Sequence, residues 1–257
     1  MSAGPHPGEA GGRLGDMKLS IVIPAFNEEK LLPGTLAAVH SAAGAFAASG
    51  LTHEVIVCDN NSTDRTAGIA RAHGAAVIFE PVNQISRARN TGATLATGDW
   101  ILFLDADSTP SYGLFSELVP VLHDPSVLYG GAQLEMDESY AIASVLVTLW
   151  HSLAQTLRLA AGSFMFMRRE AFLSTGGFST ALYASEEVEY SRRLGKLASA
   201  RGQRFAFLTH NPLITSARKL RFYNGWWHLR FILRTALCAQ RNLRHRDKLP
   251  LWYDGRR

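Results

Sequence analysis

The chain has 257 residues, 47% hydrophobic and 19% charged, which suits one domain with a sizeable core, alone or with a small appendage. Two cysteines, Cys58 and Cys238, argue against a disulfide framework and make a reducing cytoplasm the expected compartment. The net charge of +4 suits anionic partners such as nucleotides, phosphates or a membrane surface, and singles out none of them.

Residues 1–16 are rich in Gly, Pro and Ala, contain no apolar run and read as a disordered tail. Leu19–Ile23 is a run apolar but for Ser20 that ends at Pro24, the pattern of a buried parallel strand. Asn27 is expected as a helix N-cap, with Glu28 and Glu29 in a first turn where the helix dipole favours acids. That helix is expected to reach Ser49, with Pro33 near its start and Gly50 closing it. Glu54–Cys58 is a second strand. It runs into Asp59-Asn60-Asn61-Ser62-Thr63-Asp64, a polar turn capping a helix that ends near Ala72, with Gly74 behind it. Ala76–Glu80 is a third strand, and Ser86–Ala96 a helix with Arg87, Arg89 and Asn90 near its start. Trp100–Leu104 is a fourth strand, ending in Asp105-Ala106-Asp107.

Strands alternating with helices predict an α/β fold, a doubly wound and mostly parallel sheet flanked by helices. Three strand ends carry polar clusters, at Pro24–Glu28, Asp59–Asp64 and Asp105–Asp107, and all three would lie along the sheet edge where such folds bind ligands. Side chains at i and i+2 of an extended chain share a side, so Asp105 and Asp107 can face one site. Two hard oxygen donors suit Mg²⁺ or Mn²⁺, and a divalent ion suits a diphosphate. The plainer alternative is a turn that caps the next helix. There is no Gly-x-Gly-x-x-Gly after the first strand and no Walker sequence, which argues against a dinucleotide cofactor and a P-loop.

The second half is less regular. Ser126–Leu134 reads as a strand in which Gly130 and Gly131 allow a bend or a close backbone approach. The most apolar long segment, Tyr140–Ala161, is interrupted by Ser144, His151, Gln155 and Arg158, and reads as a soluble helix over Tyr140–Leu159 rather than a membrane span. Phe164–Met167 is a short strand, Gly176-Gly177-Phe178 a loop, Glu186–Ala198 a helix and Arg204–Leu208 a strand. Phe222, Trp226, Leu229, Leu233 and Leu237 form an apolar stripe beside Arg230, Arg234 and Arg241. This C-terminal helical extension either packs on the body or, through Trp226, Trp227 and the arginines, lies on an anionic membrane surface. The expected division is a tail (1–16), a domain (17–220) with a nucleotide-binding front (17–110) and an acceptor side (111–220), and the extension (221–257).

The ordered blocks resemble the family 2 glycosyltransferases of the GT-A fold, in a soluble bacterial branch. Val22-Ile23-Pro24-Ala25-Phe26-Asn27-Glu28-Glu29 is similar to the opening strand and loop. The turn from Asp59 to Asp64 is similar to Asp-Asp-Gly-Ser-Thr-Asp, with Asn60 and Asn61 in place of Asp and Gly. Arg87-Ala88-Arg89-Asn90-Thr91-Gly92 resembles the Ala-Arg-Asn-x-Gly helix start, and Asp105-Ala106-Asp107 the Asp-x-Asp. Arg168–Phe172 with Gly176–Phe178 resembles the acceptor-side segment, and Glu186–Leu194 the Glu-Asp-x-x-Leu-x-x-Arg-Leu helix.

The resemblance implies inverting transfer of a sugar from a nucleotide-diphosphate donor, UDP-linked in the first instance with GDP still open, to a hydroxyl acceptor, with Mn²⁺ or Mg²⁺ as cofactor. Asp59 would accept a hydrogen bond from the base, and Pro24, Ala25 and Glu28 would line base and ribose. Arg89 would add positive charge near the nucleotide, Asp105 would sit near ribose or metal, and Asp107 would ligate the metal. Glu187 would be the general base, although the family has the shorter Asp there, so its reach differs. Glu186, Glu187 and Glu189 read otherwise as compensation of a helix dipole. His210 is either a third metal ligand or structural. Arg218 and Lys219 either grip phosphates as a loop closes or are surface charges. Two alternatives stay open: a nucleotidyltransferase, which would carry a Gly-rich basic loop where Pro24–Glu29 is acidic, and a non-enzymatic basic module binding RNA or membrane through 218–246. Under the transferase reading no nucleic acid is expected, and the location is cytoplasmic, with peripheral contact to the inner face of the membrane left open.

Overall fold

The computed structural model describes residues 17–137, 154–160 and 163–216. The expected tail, most of the Tyr140–Leu159 helix, the extension with its Trp226 stripe, and Arg218 and Lys219 lie outside the described residues. Among the described residues, eight strands form one sheet: β1 (Lys18–Ala25), β2 (Thr52–Asp59), β3 (Ala76–Phe79), β4 (Trp100–Leu104), β5 (Ser108–Thr109), β6 (Val127–Met136), β7 (Phe164–Arg168) and β8 (Arg204–Thr215). Their order is β3-β2-β1-β4-β7-β6-β8-β5. The run β3-β2-β1-β4 is parallel, β7 is antiparallel to both neighbours, and β6 and β8 are parallel. The chain winds outward from β1 to β3, then returns to the other side of β1 as β4. This reversal opens a crevice at the carboxyl ends of β1 and β4.

Alternation along each strand builds two cores. Leu19, Ile21, Ile23, Trp100, Leu102 and Leu104 face one layer, formed by α1 (Leu32–Ala42), α2 (Gly44–Ala48), α3 (Thr66–Ala72) and α5 (Tyr112–His123). Val22, Ile101 and Phe103 face the other, formed by α4 (Ile85–Ala93), α6 (Arg169–Thr175) and α7 (Glu186–Ala200). The helices of the Arg89 block and of the Glu187 block therefore share a layer. No helix among the described residues is long and apolar enough to cross a membrane.

Several boundaries differ from the sequence expectation. The first helix begins at Leu32, not Asn27, because the Asn27 side chain bonds Thr63 on the neighbouring loop instead of capping its own helix. It also breaks at Ala43 into α1 and α2. α5 is the helix that the plainer reading of the Asp105–Pro110 turn expects, and Ser111 caps it by accepting from the Leu114 N–H at 3.1 Å. β8 continues to Thr215 through a bulge, and the two-residue β5 pairs with its end. Arg168 stands in register with Trp100, at the sheet edge opposite Asp105, where it bonds the Val127 and Asp124 carbonyls. The Arg168–Phe172 part of the expected acceptor segment thus secures the back of the sheet.

Gly130 confirms a close approach, since a Cβ there would collide with the Ala206 carbonyl and the Phe166 ring. Gly130→Ala should lower stability by ~1–3 kcal/mol through overpacking. Gly68→Ala, in α3 with open space around it, should raise it by up to ~1 kcal/mol. Chemical denaturation of both variants checks the contrast, and equal effects would refute the packing account.

Candidate active site

β1 and β2 end side by side, with Ala25 in register with Asp59 and Pro24 with Cys58. The loops beyond them are sewn together. Asn27, in the left-handed region at φ 53, donates its N–H to Ser62 Oγ at 3.0 Å and accepts from the Thr63 N–H at 2.8 Å. The N–H groups of Glu28 and Glu29 donate to Thr66 Oγ1 and Asp64 Oδ2, at 2.8 and 3.1 Å. Ser62, Thr63 and Asp64 are therefore partners of the opposing loop. Asp59 Oδ1 accepts the Ser62 N–H at 3.0 Å. Asn61 takes the left-handed corner at φ 65, as expected for an Asn in the place of Gly. Asn60 does something the sequence did not indicate. Its buried carboxamide donates to the Glu80 and Val82 carbonyls, at 3.2 and 2.6 Å, and accepts from the Gln84 N–H at 2.9 Å, which fixes the start of α4.

On the shared layer, the buried Arg89 of α4 lies between β4 and α7. One of its terminal nitrogens is 2.8 Å from Glu186 Oε1 and 4.0 Å from Glu187 Oε2, and the other is 3.4 Å from Asp105 Oδ1. Its guanidinium carbon sits 5.2 Å from the centre of the Phe178 ring. Arg89, expected to add positive charge near the nucleotide, has its guanidinium engaged by carboxylates. Burial and the neighbouring Glu187 push the Glu186 carboxyl up to about 8, against the pull of Arg89. One cation faces three carboxyl groups, which favours a proton on the most enclosed of them, Glu186. Asp105 and Glu187 are less enclosed, with side chains 21% and 23% exposed. Glu187 Oε2 and Arg89 Nε are buried without a hydrogen-bond partner.

The chain reaches Glu186 through a loop held by α4. Gly176 and Gly177 are both left-handed (φ 74 and 70), and a Cβ on Gly177 would stand 2.6 Å from Asn90 Oδ1. Asn90 in turn exchanges two hydrogen bonds with the Phe178 backbone, each 2.9 Å. Ser185, just before α7, is left-handed at φ 58, a conformation that a non-glycine residue adopts only when its surroundings enforce it.

Asp107 is half-buried, and its carbonyl accepts the Ser216 N–H at 3.2 Å, so the end of β8 closes against it. His210 is elsewhere. The β8 bulge turns the N–H groups of Thr209, His210 and Asn211 onto the Glu117 carboxylate of α5. The His210 ring, 84% exposed, lies 3.1 Å from the same carboxylate. Among the described residues no three His, Cys, Asp or Glu side chains are grouped to hold a metal. Two carboxylates one residue apart nevertheless fit Mg²⁺ or Mn²⁺, which take one or two protein carboxylates and complete their shell with substrate phosphates.

The family model "Glycosyl transferase family 2" matches residues 20–175, more than half of the chain. An uncharacterized glycosyltransferase of Mycobacterium bovis is 34% identical over 113 residues, 44% of this chain and 47% of that protein. One of Haemophilus influenzae is 27% identical over 187 residues, 68% of this chain and 61% of that one. The chain thus spans about half to three fifths of the length of these curated relatives. Among solved structures, Staphylococcus aureus TarS 1–349 superposes with a TM-score of 0.62 at 14% identity, over 93% of this chain and 78% of that one. Mycobacterium tuberculosis glucosyl-3-phosphoglycerate synthase, in complex with Mn²⁺, UDP and glucosyl-3-phosphoglycerate, superposes at 0.61 with 19% identity, over 93% and 86%. At these identities the likeness establishes the GT-A fold, in agreement with the expectation.

Two substitutions test the cluster. Arg89→Met leaves buried carboxylates without their cation and should cost ~3–5 kcal/mol. For Glu186 the sign runs with pH. A carboxyl raised from 4.5 to about 8 in the native state stabilises the fold fully below 4.5 and loses that contribution as pH rises through 8. Between those values the wild-type melting temperature should fall relative to that of Glu186→Gln, and parallel curves would mean that Glu186 stays ionised.

Proposed function

The chain belongs to glycosyl transferase family 2, and we propose that it moves a sugar, with inversion, from a UDP-linked donor to an acceptor hydroxyl. The observation that carries this reading is the tie made by Arg89, which brings Asp105 at a strand end and Glu187 at a helix start to one place. UDP is favoured because solved relatives of the same fold hold UDP or UDP-GlcNAc. Residues 17–220 are the catalytic unit in this proposal, with the acceptor side after residue 110.

Asp59 accepts a hydrogen bond from the base, while Pro24, Ala25 and Glu28 line base and ribose. Asp107, with Asp105 beside it, is the place for Mn²⁺ or Mg²⁺. Such an ion, when bound, offsets negative charge on the departing nucleoside diphosphate. Glu187 takes the proton of the acceptor hydroxyl as its oxygen attacks the anomeric carbon. The bond from that carbon to the phosphate oxygen breaks, and its electron pair leaves with the UDP. The less enclosed side chain of Glu187, 23% exposed against 3% for Glu186, supports the assignment, since a base has to meet its acceptor. Arg218 and Lys219 follow Ser216 by two and three residues and are proposed to grip the phosphates.

The test is incubation with UDP-sugars and Mn²⁺, expecting release of UDP. Release of sugar 1-phosphate would point to nucleotidyl transfer, and no turnover or UDP binding at all to a binding module. Glu187→Gln should keep UDP affinity by calorimetry and lose ~10²–10⁴-fold in turnover, so near-normal turnover would remove Glu187 as base. Asp107→Ala should abolish the dependence of UDP affinity on Mn²⁺, and an unchanged dependence would remove the ligand role.

A further inference from the structure

Gln84 is a buried polar residue to which the reaction just described gives no part. It immediately precedes α4, its backbone is extended, and it is 1% exposed. Its hydrogen bonds go in two directions. Toward the donor side, its N–H donates to Asn60 Oδ1 at 2.9 Å. Asn60 follows Asp59, and its own N–H donates to the Ala25 carbonyl at 2.8 Å. Toward the acceptor side, Gln84 Nε2 donates to the Thr180 and Leu182 carbonyls, at 2.9 and 2.8 Å. Both hydrogens of the carboxamide are thus used, on the segment that runs through the left-handed Ser185 into Glu186 and Glu187. The remaining oxygen, Oε1, accepts from Arg87 Nε at 3.1 Å, which sets the orientation of the amide.

We propose that Gln84 is a positioning residue for transfer: it holds the 179–185 segment at a fixed height above the donor-side turn and thereby aims the Glu187 carboxylate. The inference rests on Glu187 acting as the base. Two neutral amide donors, one on the part-buried Thr180 carbonyl and one on the buried Leu182 carbonyl, bring no charge into the site. Their effect is geometric, which suits a residue that sets a carboxylate in place without changing its acidity. α4 then acts as a jig. Arg89 grips the start of α7, Asn90 the Phe178 backbone, and Gln84 the backbone between them. A displacement of the base by ~1 Å costs up to ~10²-fold in rate, and three such grips over one short loop limit that displacement.

The experiment uses the full-length protein with a UDP-sugar, Mn²⁺ and its acceptor. Gln84→Met keeps the length and bulk of the side chain and removes both donors. Gln84→Glu keeps the shape and turns an acceptor toward the two carbonyls. Both should lower kcat by ~10-fold or more, with the donor KM and the UDP affinity within about twofold of wild type, a range too small to count as lost binding. A role in folding alone would instead weaken donor binding together with turnover. Because Gln84 acts through Glu187, Gln84→Met should add little further loss in a Glu187→Gln background. Unchanged kcat in both single variants, or fully additive losses in the double variant, would overturn the inference. If Glu187→Gln itself keeps wild-type turnover, the base assignment falls instead, an outcome distinct from Glu187 mattering and Gln84 not.

Discussion

The Arg89 guanidinium, dry and faced by Asp105, Glu186 and Glu187, is a constraint that the surrounding fold has to satisfy. A cation out of water is tolerable only where opposite charge stands at hydrogen-bonding distance. Meeting that condition fixes three things at once: where α4 begins, where β4 ends, and where α7 begins. The first is set by Asn60 bonding the Gln84 N–H, and the last by the left-handed turns at Gly176, Gly177 and Ser185. The conformationally unusual residues thus gather where the fold has to deliver charged side chains to one point. Asn27, Asn61 and Ser185, three of the four left-handed non-glycine residues among those described, lie on loops at strand ends or before α7.

Glu186 and Glu187 are neighbours in sequence with opposite circumstances. The first is enclosed and bonded to Arg89 at 2.8 Å, while the second stands farther off with one oxygen unmatched. Two acids placed in unlike surroundings can divide the work, one holding a proton as part of the scaffold and one left to exchange it. In the proposed reaction the second acid is the one left to take the acceptor proton, while the first is committed inward to Arg89.

The front of the molecule was readable because burial on both faces leaves a plain trace. Leu19–Ile23, apolar but for Ser20, and the unbroken run Trp100–Leu104 each give way to polar residues at the edge where they now meet. What stayed hidden depends on partners distant in sequence. Asn27 has the composition of a cap, but its partner is Thr63, 36 residues away. α5 carries Pro120 in its interior, which masks a helical pattern otherwise marked by Leu114, Phe115, Leu118 and Leu122. In β8, the Asn211-Pro212 pair resembles a strand end, yet the chain bulges there against Glu117 and resumes pairing at Leu213. His210 could be read either as a ligand or as structural from its place after a strand, and the bulge turns it to Glu117 of α5. Asn60 and Gln84 gave no signal, since an amide that bonds backbone carbonyls leaves no pattern of spacing.

The shared layer of α4 and α7 bears on how the molecule comes into being. Residues 18–107 contain strands β1 to β4 and could pair as soon as they are synthesised, whereas the acids that neutralise Arg89 from α7 arrive about eighty residues later. Until then Asp105 is the one carboxylate of the cluster within reach of the guanidinium. Full pairing of Arg89 is thus reached only when α7 packs beside α4.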